Sequence, residues 1–169
     1  MSSTVSQRSW WARKARQLRT HVSARVRPEE RRSLAAWTTP AELALFDAMH
    51  VADRRHGLDV VAYLRRAGVT DRDVLAAGLL HDCAKGDTGA GPRIAWSLGE
   101  AFGSWVTAPA ALVPGWGPAL ERLRLHAEAS ADAVAAVGLP PRAVDLVRYQ
   151  AEPRDPRFGA LFHAADEAC

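Results

Sequence analysis

The chain has 169 residues, 48% of them hydrophobic, which suffices for one well-buried domain and for little more. Its two cysteines, Cys83 and Cys169, make neither a disulfide framework nor a C-x-x-C pair, which excludes thiolate zinc sites, and no apolar run of about 18 residues predicts a membrane-spanning helix. The net charge of +3 is unevenly placed: residues 1–32 carry nine Lys/Arg against Glu29 and Glu30, and the rest carries thirteen basic against seventeen acidic residues, which disfavours a nucleic-acid-binding body.

Residues 1–38 read as a basic helical arm. "SWWARKARQLRTHVSARVRPEERR" sets Trp10 and Trp11 among recurrent arginines. That composition suits an amphipathic helix on anionic lipid, a nucleic-acid contact, or a helix packed on its own domain or on a second copy of the chain. No apolar signal-peptide core follows the basic start, so the expected location is cytoplasmic, with peripheral membrane contact through the arm as one option.

In "TTPAELALFDAMH", Thr39 is the expected N-cap, Pro40 the first helical residue and Glu42 the closing member of a capping box. "VADRRHGLDVVAYLRRAG" predicts a helix ended by Gly68. "VTDRDVLAAGLLHDCAKG" predicts the next, opened by Thr70 and Asp73, closed at Gly86, and apolar nearly all round through Val74, Leu75, Leu79 and Leu80. A helix over about 92–102 precedes a Pro/Gly/Trp-rich connection, "GSWVTAPAALVPGWGP". The stretch Ile94–Pro118, with Trp96, Trp105 and Trp116, could form an apolar surface beside the arm. Helices follow over about 118–137, from "PPRAVDLVRYQ", and from about Pro156. Period-2 alternation of β-branched residues is almost absent, so strands are not expected. The expected fold is all-α: a single helical bundle over residues 39–169 with the basic arm in front.

Several of these helices direct a polar residue inward. His56 shares a face with Val60 and Leu64, His126 with Ala133 and Val137, and Asp166 with Phe162, while His81-Asp82 closes the most apolar helix. One such residue is usually a core group satisfied by a neighbour. Several together each need a partner or cost a few kcal/mol, and one divalent cation serves them all. Imidazole with carboxylate suits Mn, Fe, Zn, Co or Ni, with Mg where carboxylates dominate.

The order His56, His81-Asp82, Asp166 resembles the HD superfamily of metal-dependent phosphohydrolases, through "RRHGLDVV", "LLHDCAKGD", "LHAEASADAVAAVGLP" and "LFHAADEA" over residues 43–169. The resemblance implies an HD-type helical bundle in which His56, His81, Asp82 and Asp166 ligate one metal. It implies hydrolysis of a small phosphorylated metabolite or nucleotide by attack of a metal-bound hydroxide, with Asp82 and Lys85 in the catalytic machinery. Lys85 would face a phosphate oxygen and not the metal; its bland role is to offset the helix dipole. His126 matches the position that ligates a second ion in two-metal members, and could instead touch substrate. Those members place further histidines where this chain has Tyr149, Gln150 and Ala151. Arg55 and its neighbour Arg54 could reach a phosphate or simply be solvated, Asp87 could orient Lys85 or act as a base, and His163 reads as packing. His21 and His50 receive no role. The alternative is a non-catalytic module of the same fold that binds metal or nucleotide for sensing or structure.

Overall fold

The computed structural model describes residues 24–169; the Trp10–Trp11 region of the predicted arm lies outside them. All regular elements among the described residues are helices: α1 Pro28–Leu34, α2 Pro40–Ala48, α3 Val51–Arg66, α4 Arg72–Leu80, α5 Ala90–Phe102, α6 Ser104–Ala110, α7 Trp116–Ala136, α8 Pro141–Arg148 and α9 Gly159–Ala168.

Local chemistry accounts for most helix ends. At α2, Thr39 Oγ1 accepts the Glu42 N–H at 3.2 Å while Glu42 Oε2 accepts the Thr39 N–H at 2.9 Å, the reciprocal pair read from the sequence. His50, given no role above, is the N-cap of α3, its Nδ1 accepting the Ala52 N–H at 3.3 Å. Gly68, at φ 87°, ends that helix as expected. The start of α4 differs from the reading: Asp71, not Thr70, is the cap, its Oδ1 accepting the N–H groups of Asp73 and Val74. The connection after residue 102 contains α6, with Pro109 inside its last turn.

α4 forms the centre. Each residue from Val74 to Leu80 is buried, and the helix packs against α2, α3, α7 and α8, which explains why its sequence is apolar on nearly every side. α9 lies against α3, α5 and α6 pair with each other and pack on α7, and α5 also reaches α3 through an ion pair between Arg93 and Asp53. Leu34 is 2% exposed within the same core, and Trp37 packs on it. The bundle therefore reaches back into residues assigned to the arm. Arg55 of α3 secures this junction through a 2.8 Å contact with Glu30 of α1.

Candidate metal centre

α3 and α4 approach closely at Gly57. A Cβ at that position would lie 2.3 Å from the Leu79 carbonyl oxygen, closer than side-chain atoms come to backbone, so only glycine allows the two helices to meet there. The consequence falls on the preceding residue: the His56 and His81 rings stand edge to face with centroids 5.0 Å apart. α9 supplies the third group. Asp166 Oδ1 lies 2.8 Å from His56 Nε2 and 3.2 Å from His81 Nε2. The ligand atoms of His56, His81 and Asp166 all lie within 4.8 Å of one another, a group that could hold a metal ion. Asp82 adjoins it, with Oδ2 3.5 Å from His81 Nε2 and 4.0 Å from His56 Nε2. His81 and Asp82 are fully buried, while the side chains of His56 and Asp166 are 21% and 28% exposed, so the cluster has a dry wall and an open side.

His81 Nδ1 lies 3.0 Å from the Gly78 carbonyl, which can only accept, so Nδ1 carries a proton and Nε2 is turned towards the carboxylates. That contact uses a carbonyl of the last turn of α4, and the helix stops at Leu80 instead of running on to Gly86. The backbone turns over residues 81–84, where the Ala84 N–H donates to Ser130 Oγ of α7 at 3.0 Å and the Cys83 thiol points at the Ser130 carbonyl. Lys85 therefore sits on the turn after α4. Its Nζ donates to Asp82 Oδ2 at 2.6 Å, so the ammonium contacts an expected metal ligand, where the sequence reading had it facing phosphate alone.

The two oxygens of Asp82 face different neighbours. Oδ2 meets Lys85 and the two imidazoles; Oδ1 is buried without a hydrogen-bond donor among the described residues, its neighbour being His126 Nε2 at 3.6 Å. His126 donates its Nδ1–H to the Leu123 carbonyl, and its Nε2 accepts from Gln150 Nε2 at 3.1 Å. Gln150 is 5% exposed, and its Oε1 also lacks a partner among the described residues. His163 holds the Gln150 carbonyl through Nδ1 at 2.9 Å, a packing contact. Arg55 is engaged elsewhere: Glu30 and Asp59 share its guanidinium, each at 2.8 Å. Asp87 accepts the Gly89 N–H at 3.4 Å.

Electrostatics follow from this packing. Burial alone would lower the His81 pKa, but Asp82 and Asp166 outweigh it and raise it to about 9. Burial would likewise raise both carboxyls, yet His81 and Lys85 hold Asp82, and His81 and His56 hold Asp166, well below the ordinary carboxylate range. Lys85 is raised by Asp82 and Asp166 against its own burial. His126 is lowered, by burial first and by Lys85 second, so it favours the neutral form.

Three residues of this neighbourhood escape a reading by motif. Gly57 had a signal, since a glycine inside a helix costs about 1 kcal/mol against alanine and its place beside His56 asks for a reason. Ser130 had a weaker one, interrupting an alanine-rich stretch one turn after His126. Gln150 stands where a histidine was sought, and nothing in its spacing suggests its contact with His126.

No protein-family model matches the chain, and no curated protein or solved structure does either. The resemblance to the HD superfamily thus rests on the residues themselves.

Proposed function

We propose that the chain is a metal-dependent phosphohydrolase of the HD type, acting on a small phosphorylated metabolite or nucleotide. The observation that carries this reading is the meeting of His56, His81 and Asp166, from three elements spread over 110 residues of sequence, with Asp82 3.5 Å from His81 Nε2. The donor set of two imidazole nitrogens and two carboxylates fits Mn, Fe, Co, Ni or Zn, and the buried Asp82 Oδ1 is an acceptor still available for a donor or a cation. Such an ion, when bound, lowers the pKa of water and neutralises charge on a phosphoryl group.

The chain's own residues supply the rest. The Gly78 carbonyl fixes the tautomer that presents His81 Nε2. Lys85 brings a positive charge beside the ligands on the partly open side, where a phosphate oxygen would sit. His126, held neutral and oriented by Leu123 and Gln150, lines the Asp82 Oδ1 side as a substrate contact or further ligand. The buried face of His81 and Asp82 excludes water and strengthens each of these charge interactions.

The test combines metal analysis of the purified protein with a phosphate-release screen using several divalent ions. Stoichiometric metal and ion-dependent release, both lost in Asp82→Ala, are expected. Release that persists in chelator, or that survives Asp82→Ala, refutes the reading. Metal retention with no release across the screen favours the sensing or structural module instead.

A further inference from the structure

Beside the candidate metal centre lies a second polar cluster whose members carry no motif. Arg93 of α5, 16% exposed, clasps Asp53 of α3 with both arms of its fork, Nη1–Oδ1 at 2.6 Å and Nη2–Oδ2 at 2.7 Å. Two further donors go to the turn between α4 and α5: Nη2 to the Gly86 carbonyl at 2.9 Å and Nε to Thr88 Oγ1 at 2.9 Å. Asp53 and Thr88 are themselves buried, at 4% and 6% exposure.

The placement of these contacts suggests what they set. Asp53 lies one helical turn before His56 on the same side of α3. Gly86, at φ 65°, and Thr88 lie one and three residues after Lys85. One guanidinium thus joins the helix that carries a candidate metal ligand to the turn that carries the candidate phosphate-binding ammonium. Stability alone is a poor reason for such a pair, since a buried ion pair is often matched or bettered by apolar residues of the same size. A fork that fixes four acceptors at set angles does what apolar packing cannot: it holds a distance and a direction.

We infer that Arg93 is a positioning residue, which through Asp53, Gly86 and Thr88 sets the separation between the His56 side of the metal centre and Lys85, and so tunes recognition of the phosphoryl group. The inference rests on the proposed phosphohydrolase reading. Arg93 touches neither His56 nor Lys85; it acts through the turn.

The test uses the whole chain, Mn²⁺ alone and inorganic phosphate as probes, with calorimetric titration of the wild type, Lys85→Met, Arg93→Lys and the double variant. Arg93→Lys keeps the charge and removes the fork. It is expected to weaken phosphate binding by the Mn²⁺-loaded protein about 10-fold while leaving Mn²⁺ affinity within about twofold, and to cause little further loss when added to Lys85→Met. A phosphate affinity unchanged by Arg93→Lys, or a loss that adds in full to that of Lys85→Met, overturns the inference. Should Arg93→Lys unfold or lose Mn²⁺ as well, Thr88→Val, which removes only the Nε contact, decides: a selective loss of phosphate affinity supports the positioning role, and no selective loss overturns it. A wild type that takes up Mn²⁺ but no phosphate, or a Lys85→Met that binds phosphate normally, also overturns the inference but leaves the phosphohydrolase reading to the release screen; release that persists in chelator removes that reading, and the inference falls with it.

Discussion

At the scale of single residues, His81 is held from both sides, its Nδ1–H on the Gly78 carbonyl and its Nε2 facing Asp166 and Asp82. With its pKa raised from 6.5 to about 9, it binds a second proton in the folded state more tightly than in the unfolded chain. The stabilisation is complete below pH 6.5 and is lost as the pH climbs through about 9. In chelator, the melting temperature should therefore fall between those two values. A divalent ion must displace that proton, so Mn²⁺ uptake at pH 7.5 should release protons, measurable as a binding enthalpy that varies with the ionisation enthalpy of the buffer. A buffer-independent enthalpy would contradict this assignment. His56 and Asp166 were legible because a polar residue on an apolar helical face is conspicuous, and His81-Asp82 because the pair ends an apolar run. Arg93 and Gln150 were not, because their partners lie 40 and 24 positions away and no spacing rule joins them.

Among the elements, the contact of α3 with α4 decides whether the cluster assembles. Gly57→Ala places a methyl carbon against the Leu79 carbonyl, and the helices must part or tilt to admit it. We expect a loss of about 1–3 kcal/mol in stability, read from the denaturation midpoint, together with weakened Mn²⁺ binding, since His56 moves with the backbone. A variant as stable as the wild type would show that the helices do not meet as described. The turn after α4 offers a milder case. Ser130→Ala leaves the Ala84 N–H without its acceptor and should cost about 1–3 kcal/mol. Capping chemistry made the start of α2 and the end of α3 legible. The early stop of α4 was hidden because one part of its cause, a serine of α7 that takes the Ala84 N–H, is tertiary, and the other, His81 turning back on the Gly78 carbonyl, leaves no mark in residue spacing.

For the whole molecule, the burial of α4 on four sides makes the bundle dependent on how its flanking helices are tied. Glu42, 1% exposed at the start of α2, pairs with Arg72 at the start of α4, and Arg72 also donates to the Trp37 carbonyl at 3.1 Å. Glu42→Ala leaves Arg72 with Asp73 and the Trp37 carbonyl but removes its buried partner and opens the capping box, so a loss of about 1–3 kcal/mol is expected in chemical denaturation. The opposite pole should be insensitive. Trp105 and Leu112 are 72% and 84% exposed, and serine at either should change stability by under about 0.5 kcal/mol. The all-α class was legible from capping and periodicity, whereas the composition of the arm left open whether it packs on its own domain. Leu34, beside the charged Glu29, Glu30, Arg31 and Arg32, is core, which only the packing shows.

The thiol of Cys83 turns this arrangement into a clock. Burial first, and Asp82 as well, push its pKa up to about 11 against an ordinary 9, which cuts the thiolate present at neutral pH about 100-fold. Cys83 is only partly buried, so iodoacetamide alkylates it slowly in the packed state and faster in excursions in which the 81–84 turn peels away from Ser130. In a Cys169→Ser background the labelling rate then rises with the frequency of those excursions. It should rise in Ser130→Ala and fall when Mn²⁺ draws His81 and Asp82 together, reporting by chemistry on how often the centre comes apart.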